Sequence, residues 1–187
     1  GRPLRIWSAG CCTGEEPYSI AIGLLECGFR SGRFEFEILA SDINADFLAR
    51  AQEARYGRWS FRKTPDRLQK RYFRSDGGDL WSVDSEVRRH VRFQRINLAD
   101  ADSVQQLEHR GPFDAIFCRN VLMYFTEEAA GRVLNSFKRS LAPAGWLVVS
   151  PTESSILYEA GLARDGLPPF IALNKPRDSK EPTSPSS

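Results

Sequence analysis

Apolar residues recur in the first part of the chain in patterns that alternate between strand and helix. Residues 4–9 (LRIWSA) have a strand-like composition and lead into a loop that contains glycine, and residues 18–27 then carry apolar side chains at helical spacing. A second unit repeats this order, with a strand-like segment at residues 36–41 and helix-forming residues at 45–54. Two such units predict an α/β fold, in which crossover helices cover the faces of a parallel sheet.

The second half of the chain continues the alternation. A helix is predicted at about residues 126–141, because glutamates suit its first turn and because Pro143 and Gly145 should end it. Edge strands are expected near Tyr158 and at residues 170–173. The remaining core strands are predicted at residues 91–95, 113–118 and 146–150.

Two segments do not fit this alternation. An insertion at residues 56–90 contains the turn signal SDGGD, so we expect a helix and a small β-hairpin subdomain there. Residues 175–187 (KPRDSKEPTSPSS) contain no apolar side chain and are expected to form a disordered tail or linker. One main domain is therefore expected at residues 1–174.

Composition narrows the class of protein. The chain has 187 residues, of which 41% are hydrophobic, enough for one domain with a sizeable core. Its 26 basic and 24 acidic residues leave it nearly neutral, which by itself favours neither nucleic acid nor a membrane as partner. No apolar run approaches the roughly 18 residues that a membrane span needs, and no signal peptide is evident, so we expect a cytoplasmic protein. The cysteines lack metal-ligand spacing and are interpreted as reduced and mostly buried: Cys11, Cys12, Cys27 and Cys118.

A glycine-containing loop after the first strand and a carboxylate after the second form the layout of nucleotide sites in doubly wound folds. Here the loop is GCCTG, which departs from G-x-G-x-x-G, and Glu15 and Glu16 follow it at the helix start. Two carboxylates there would repel a pyrophosphate. S-adenosylmethionine has no phosphate and carries a sulfonium, an ammonium and ribose hydroxyls, so acidic residues suit it. Asp42 would accept hydrogen bonds from the ribose.

Several longer segments resemble the chemotaxis receptor methyltransferases, the CheR-type protein-glutamate O-methyltransferases. The similar segments include LRIWSAGCCTGEEPYSIAI, LASDIN and FDAIFCRNVLMYF, and they extend over roughly residues 4–150. The resemblance implies a class I methyltransferase fold, Rossmann-like, with a mostly parallel seven-stranded sheet. It also implies transfer of a methyl group from S-adenosylmethionine to glutamate side chains in the helical cytoplasmic region of a chemotaxis-type receptor. The products would be glutamate methyl esters and S-adenosylhomocysteine, and a monomer without a metal is expected.

The resemblance implies roles for individual residues at the mouth of the sheet. Glu16 would contact the methionine end of the cofactor, while Asp42 would hold the ribose and the Asn-Leu pair after the third strand would border the adenine. Tyr124 would lie near the transferred methyl group, and Arg119 would be the second catalytic candidate on the acceptor side. The predicted cofactor-binding residues are Gly10, Glu16, Asp42, Asn97, Leu98, Arg119 and Asn120.

Each of these assignments has a structural alternative. Residues 13–16 (TGEE) fit a helix capping box, in which Glu16 would only satisfy backbone donors. Asp42 and Asn44 fit turn or cap residues before the second helix. Tyr124 fits ordinary core packing, because apolar and aromatic residues flank it.

A run of basic residues within the insertion has two interpretations. Such runs usually form a solvated face, and the alternative is a patch that steers a glutamate-rich receptor helix toward the site. Nucleic acid is not favoured, because no base-reading motif accompanies the charge. The basic residues are Arg55, Arg58, Arg62, Lys63, Arg67, Lys70, Arg71 and Arg74.

Three departures from the family limit the resemblance. The family usually has a helical domain with its own cofactor contacts before the first strand, whereas this sequence begins at Gly1, just before that strand. If the chain is a fragment or a shortened form, reduced cofactor affinity and turnover are expected. The loop between Phe73 and Trp81 is short compared with relatives that dock a receptor C-terminal tail, which predicts recognition without tail tethering. Residues 150–154 (SPTES) replace the usual Gly-His-Ser-Glu pattern, which leaves the acceptor rim undefined.

Two other functions remain open at this point. The chain could be a non-catalytic module of a larger signalling protein that binds the cofactor or a partner. A nicotinamide-dependent oxidoreductase is supported only by the order of strand, loop, helix and acid, and Glu15 and Glu16 argue against it.

Overall fold

A seven-stranded sheet forms the centre of the protein in a computed structural model, which describes residues 2–29, 35–108, 112–159, 165–167 and 170–174. Its strands are β1 (Leu4–Ala9), β2 (Phe36–Asp42), β6 (Val91–Arg95), β7 (Phe113–Phe117), β8 (Leu141–Val149), β9 (Asp165–Leu167) and β10 (Phe170–Asn174). They lie in the order β6-β2-β1-β7-β8-β10-β9. The first five strands of this order and β9 run in the same direction, and β10 lies antiparallel between β8 and β9. Because the chain moves from β1 first to one side and then to the other, a topological switch point lies between β1 and β7.

Helices connect these strands and cover the sheet. They are α1 (Glu15–Glu26), α2 (Ala45–Glu53), α3 (Asp66–Tyr72), α4 (Ser85–Arg88), α5 (Ala101–Glu108), α6 (Glu127–Ser140) and α7 (Ser154–Glu159). Short 3-10 helices occur at Arg58–Phe61, Leu122–Tyr124 and Pro151–Glu153. Among the described residues, no helix combines the length and apolar character that crossing a membrane would require.

Two hydrophobic clusters pack against opposite faces of the sheet. Successive residues of a strand point to opposite faces, and in β1 Ile6 belongs to one cluster and Trp7 to the other. Trp7 is fully buried, lies 5.2 Å from the ring of Phe137 between ring centroids, and donates its indole N–H to the Ser41 hydroxyl at 2.8 Å. Trp7 therefore fixes α6 and β2 to the same central strand.

The insertion forms a second, three-stranded antiparallel sheet. Its strands are β3 (Arg55–Gly57), β4 (Phe73–Ser75) and β5 (Leu80–Val83), in the order β3-β5-β4. The expected hairpin and helix are present as β4, β5 and α3. The strand β3 was not predicted, because three residues are too few to show an alternating pattern. Glu26 of α1 joins this subdomain to the main sheet by accepting hydrogen bonds from Arg71 and Tyr72, each at 2.8 Å.

Three predictions for the second half of the chain require correction: the end of the helix at 126–141, the strand near Tyr158 and the place of the edge strand at 170–173. The predicted helix at 126–141 is α6, but β8 follows it directly, so Pro143 and Gly145 lie within that strand. They occupy an irregularity, since Phe113 pairs with Leu141 whereas Ala115 pairs with Trp146. A strand near Tyr158 is wrong, because that residue lies in α7.

The other expected edge strand is present as β10. It lies between β8 and β9, however, so β9 and not β10 forms the outer edge on that side of the sheet. The predicted tail at 175–187 lies outside the described residues.

We predict that Leu134→Ala lowers the free energy of unfolding by about 2–5 kcal/mol, because it leaves a cavity in a fully packed core. Leu134 lies in α6, is 1% exposed and belongs to the cluster around Trp7. Urea denaturation of the variant measures the loss. Arg132→Ala on the same helix is the control, since its exposed pair with Glu128 should contribute less than about 0.5 kcal/mol. Equal destabilisation by both variants would contradict this account of the core.

Candidate active site

A cleft of about 530 Å³ opens at the carboxyl ends of β1, β2, β6 and β7, beside the switch point. This is where open α/β sheets bind ligands, and the volume is in the range of small-molecule sites. Most of its surface is apolar, with a few polar groups between. The cleft brings together most of the residues predicted to form the site: Gly10, Asp42, Asn97, Leu98, Asn120 and Tyr124.

The loop GCCTG, residues 10–14, is held against the end of β2. The amides of Gly10 and Cys11 donate to the carbonyl oxygen of Ser41 at 2.8 and 2.9 Å, and the amide of Cys12 donates to the carboxylate of Asp42 at 2.9 Å. Gly10 has a φ of 79°, a conformation that L side chains rarely adopt, and its missing Cβ leaves room for Val121. The glycine is therefore required both by backbone geometry and by the approach of the loop after β7.

Asp42 accepts hydrogen bonds from the loops that follow β1 and β2. One carboxylate oxygen accepts from the amide of Cys12 and the other from the amide of Asn44, each at 2.9 Å. Asn44 caps α2 by accepting from the amides of Asp46 and Phe47, so the cap interpretation is correct for Asn44. For Asp42 the turn interpretation describes only part of its contacts. Carboxylate oxygens have lone pairs for more than one donor, so Asp42 can still accept from a ligand in the cleft.

Glu16 points away from the helix that carries it. It accepts a hydrogen bond from the Ser8 hydroxyl at 2.8 Å and lies 3.6 Å from a guanidinium nitrogen of Arg119. The residue that precedes α1 is Gly14 and not Thr13, and the Thr13 hydroxyl donates to the carboxylate of Glu15, so the capping-box alternative is wrong. Burial raises the pKa of Glu16, and the hydrogen bond from Ser8 and the charge of Arg119 partly oppose that rise. A partly buried carboxylate of this kind is suited to bind a cation.

The loop after β7 carries the remaining predicted residues. Asn120 adopts a left-handed conformation with a φ of 59°, and a 3-10 turn at Leu122–Tyr124 follows it. Tyr124 is 83% exposed, so the core-packing alternative for this residue is wrong. Arg119 is directed toward Glu16, next to the cleft that Asn120 and Tyr124 line.

Two features of this region were not predicted from the sequence, namely an apolar wall of the cleft and a buried carboxylate. Ile43 and Phe47 form an exposed apolar wall of the cleft, and the position of Ile43 directly after the acid of β2 could have indicated it. Glu153 is fully buried and accepts hydrogen bonds from the amides of Asn120 and Val121 at 2.8 and 2.7 Å. The capping-box pattern of residues 150–153 was visible in the sequence, but it predicts only local contacts.

Burial alone would raise the pKa of Glu153. The hydrogen bonds from Ser150 and from backbone amides outweigh this effect and hold the pKa below its usual value. Glu153 is therefore an anion at neutral pH although its side chain has no contact with solvent.

The basic run of the insertion is largely paired with acids. Arg62 differs in that it lies over the ring of Trp59, 4.8 Å from its centroid. Paired guanidinium groups generate a weaker field than isolated ones, so the solvated-face interpretation describes most of the run. The ion pairs are Arg55–Asp76, Arg58–Asp79, Arg67–Glu26, Arg71–Glu26 and Arg74–Asp84.

The cysteines are free, but only half of them are buried. Cys11 and Cys118 lie in the core, and burial raises the pKa of the Cys11 thiol to about 12. Cys12 and Cys27 are exposed, so the expectation of mostly buried cysteines is wrong for these two. Cys12 is exposed because its loop lines the cleft.

The strand order, with the single antiparallel strand β10 between β8 and β9 in an otherwise parallel sheet and an acid at the end of β2, defines the class I S-adenosylmethionine-dependent methyltransferase fold. Solved structures share it. N-methyltransferase NodS from Bradyrhizobium japonicum, in complex with S-adenosylhomocysteine, aligns with a TM-score of 0.55 at 15% identity, over 95% of this chain and 80% of that one. An O-methyltransferase family protein from Burkholderia thailandensis aligns with a TM-score of 0.55 at 14% identity, over 96% and 52%.

The chain belongs to the family described as "CheR methyltransferase, SAM binding domain", which it matches over residues 1–157. It is 39% identical over 168 residues to the "Probable biofilm formation methyltransferase WspC" of Pseudomonas aeruginosa, covering 90% of this chain and 38% of that protein. It is 37% identical over 156 residues to "Chemotaxis protein methyltransferase 2" of Vibrio cholerae, covering 82% and 52%. The chain thus spans about half or less of the length of these relatives.

We predict that Gly10→Ala lowers the free energy of unfolding by about 1–2 kcal/mol, because an L side chain is strained at this φ. The added methyl group would also displace Val121 from the wall of the cleft. The measurement is urea denaturation. Gly23→Ala is the matched control: this exposed helical glycine has no neighbour within 4 Å of the added atom, and alanine there should stabilise by about 0.5–1 kcal/mol. A neutral effect at Gly10 would show that the loop is not held as described.

Proposed function

We propose that this chain binds S-adenosylmethionine in the cleft and forms the catalytic domain of a protein-glutamate O-methyltransferase that acts on chemotaxis-type receptors. The observation that supports this most directly is the pairing of acidic groups with an apolar cleft at the switch point. Membership of the CheR family supports the choice of cofactor and of substrate class. A receptor's signalling region lies in the cytoplasm, so we infer a cytoplasmic location.

The residues around the cleft fit the cofactor group by group. Asp42 would accept from the two ribose hydroxyls, and Ile43 and Leu98 would enclose the adenine between apolar surfaces. Glu16 would bind the ammonium of the methionine end through a charge-assisted hydrogen bond. Asn97 and the loop glycine Gly10 would complete the binding set near the ribose and the methionine chain.

When bound, S-adenosylmethionine supplies a methyl carbon that its sulfonium sulfur activates. A carboxylate oxygen of the receptor glutamate forms a bond to that carbon while the carbon–sulfur bond breaks and its electron pair moves to sulfur. The negative carboxylate and the positive sulfonium neutralise each other as the ester and the neutral thioether form, so the reaction requires neither a general base nor a metal. What the chain must supply is alignment of the reacting atoms and exclusion of water.

The exposed side chains of the loop after β7 suit this positioning role. Tyr124 is 83% exposed and Met123 50% exposed, and both would be covered when a receptor helix docks over the cleft. Covering them would remove water from around the acceptor carboxylate and so strengthen its attraction to the sulfonium. Arg119 lies 3.6 Å from Glu16, and we expect its charge to orient the incoming carboxylate.

We predict that Asp42→Ala weakens binding of S-adenosylhomocysteine by roughly 1–3 kcal/mol, because hydrogen bonds to a charged group are lost. Isothermal titration of the natural full-length protein measures the dissociation constant. Asp46→Ala, on the exposed side of the neighbouring helix, is the control and should leave binding unchanged. An unchanged dissociation constant in Asp42→Ala would remove this residue from the site.

The same protein should transfer labelled methyl groups to receptor-containing membranes as base-labile esters, and Asp42→Ala should slow the transfer. Binding of S-adenosylhomocysteine without any transfer would favour the alternative, a non-catalytic module of a signalling protein. Absence of both binding and transfer would overturn the proposed function.

We further propose that a receptor is recognised without tethering of its C-terminal tail, and that the chain acts as a monomer. An extended tail peptide binds by pairing with a sheet edge. The two edges of the small sheet, β3 and β4, have only three residues each, and the turn between β4 and β5 is confined to residues 76–79. Charged side chains on both edges, Arg55 and Arg74, are engaged in ion pairs.

Immobilised receptor-tail peptide should therefore fail to retain this protein, whereas a relative with a longer hairpin loop should be retained under the same conditions. Tight retention would show that the short edges suffice for tail binding. The receptor methylation assay is independent of this result, because it tests the cleft and not the small sheet.

A further inference from the structure

Glu153 is the one fully buried carboxylate among the described residues, and it lies directly behind the cleft. It ends the 3-10 turn Pro151–Glu153 that follows β8. One of its oxygens accepts from the amides of Val121 and Leu122, both at 2.7 Å, and from that of Met123 at 3.4 Å. The other accepts from the amide of Asn120 at 2.8 Å and from the Ser150 hydroxyl at 2.5 Å.

Four successive amides thus converge on a single side chain. Consecutive backbone N–H groups that point into one concavity form a nest that binds anions. The chain at residues 120–123 leaves β7 and turns at Asn120, whose φ is 59°, so these amides have no strand partner to donate to. Buried amides without acceptors would be costly. The carboxylate of Glu153 satisfies them from a segment about thirty residues further along the chain.

The loop that Glu153 holds is the loop that carries the acceptor side of the cleft. Asn120, Val121 and Tyr124 line the cleft, and Arg119 approaches Glu16 from the same loop. Glu153 itself does not line the cleft. Its influence on a bound ligand must therefore pass through the backbone of the loop.

We propose that Glu153 is a positioning residue for methyl transfer: its carboxylate fixes the backbone of residues 120–123 and thereby sets the positions of Arg119, Asn120 and Tyr124 toward cofactor and acceptor. The proposal rests on the proposed function for its catalytic consequence. Its structural part, ordering of the loop in the absence of ligand, is independent of that function.

The substitution that tests this most sharply is Glu153→Gln, which keeps the size of the side chain. The amide nitrogen of glutamine is a donor, so at either position of the carboxylate it would face backbone donors. If it occupies the position next to Ser150, that hydroxyl can turn and accept, but the amide of Asn120 loses its acceptor. The loop should then lose its fixed conformation, while the hydrophobic cluster around Ile6, which includes no residue of the loop, stays intact.

Three measurements on the natural full-length protein separate positioning from general stability. Hydrogen exchange of residues 119–125 in the ligand-free protein should become at least tenfold faster in Glu153→Gln. The dissociation constant of S-adenosylhomocysteine should rise, and kcat for receptor methylation should fall, each by roughly tenfold or more, as expected for lost hydrogen bonds to a charged group. Val87→Ala is the matched control, because this fully buried residue of α4 belongs to the hydrophobic cluster around Ile6, which includes no residue of the loop. This variant should leave these three quantities unchanged at temperatures well below unfolding.

Ser150→Ala provides a second variant in case Glu153→Gln does not fold. It removes the hydroxyl donor to Glu153 but leaves all four loop amides in place, so a smaller change of two- to fivefold in kcat is expected. The inference is overturned if either folded variant exchanges its loop amides and turns over as the Val87→Ala control does. If the unchanged protein neither binds S-adenosylhomocysteine nor transfers a methyl group, the proposed function fails, while hydrogen exchange still decides whether Glu153 orders the loop.

Discussion

The candidate site depends on one set of backbone contacts, those that fix the loop after β1 to the end of β2. The amides of Gly10 and Cys11 share the carbonyl oxygen of Ser41, and the amide of Cys12 uses the carboxylate of Asp42. These bonds bring the ends of two parallel strands together at the switch point, where a ligand can reach both. Asp42 is thus part of the support of the loop as well as a candidate ligand-binding group, and the two roles act on the same cleft.

Anionic groups arranged around an apolar cleft restrict the ligands that the site can bind. Glu16 lies near Arg119, and the negative charge of Glu153 contributes to the raised pKa of Glu16. A dinucleotide would bring its pyrophosphate against this charge, whereas a phosphate-free cation would neutralise it. A raised pKa also means that Glu16 takes up a proton more readily as the pH falls, and a cationic ligand favours its ionised form. Affinity for such a cation therefore rises as the pH rises through this pKa.

The sequence predicts the features that depend on neighbouring residues, and it misses those that depend on contacts with distant parts of the chain. The strands β1, β2 and β6 and the position of Asp42 follow from local apolar patterns and from the order of strand, loop and helix, and they were predicted within a residue or two. The strand β3 exists only because β5 pairs with it. The first residues of β8 were missed for a similar reason, since Pro143 reads locally as a helix stop although it lies at an irregularity of the strand pairing. Neither feature has a local sequence signature strong enough to predict it.

Glu153 shows the same limit of prediction from sequence for a residue that supports the site. The pattern Ser-Pro-Thr-Glu indicates a turn with a capping box, and the structure contains that turn. The contacts that give the glutamate its position, however, are to amides about thirty residues earlier in the chain, and these donors become available only because Asn120 adopts a left-handed conformation. Burial of an ionised carboxylate costs free energy unless hydrogen bonds compensate for it. A buried carboxylate whose hydrogen bonds are all made therefore strongly favours one loop conformation over its alternatives. The order of the loop is thus determined from behind the cleft, by a residue whose side chain has no direct access to the ligand.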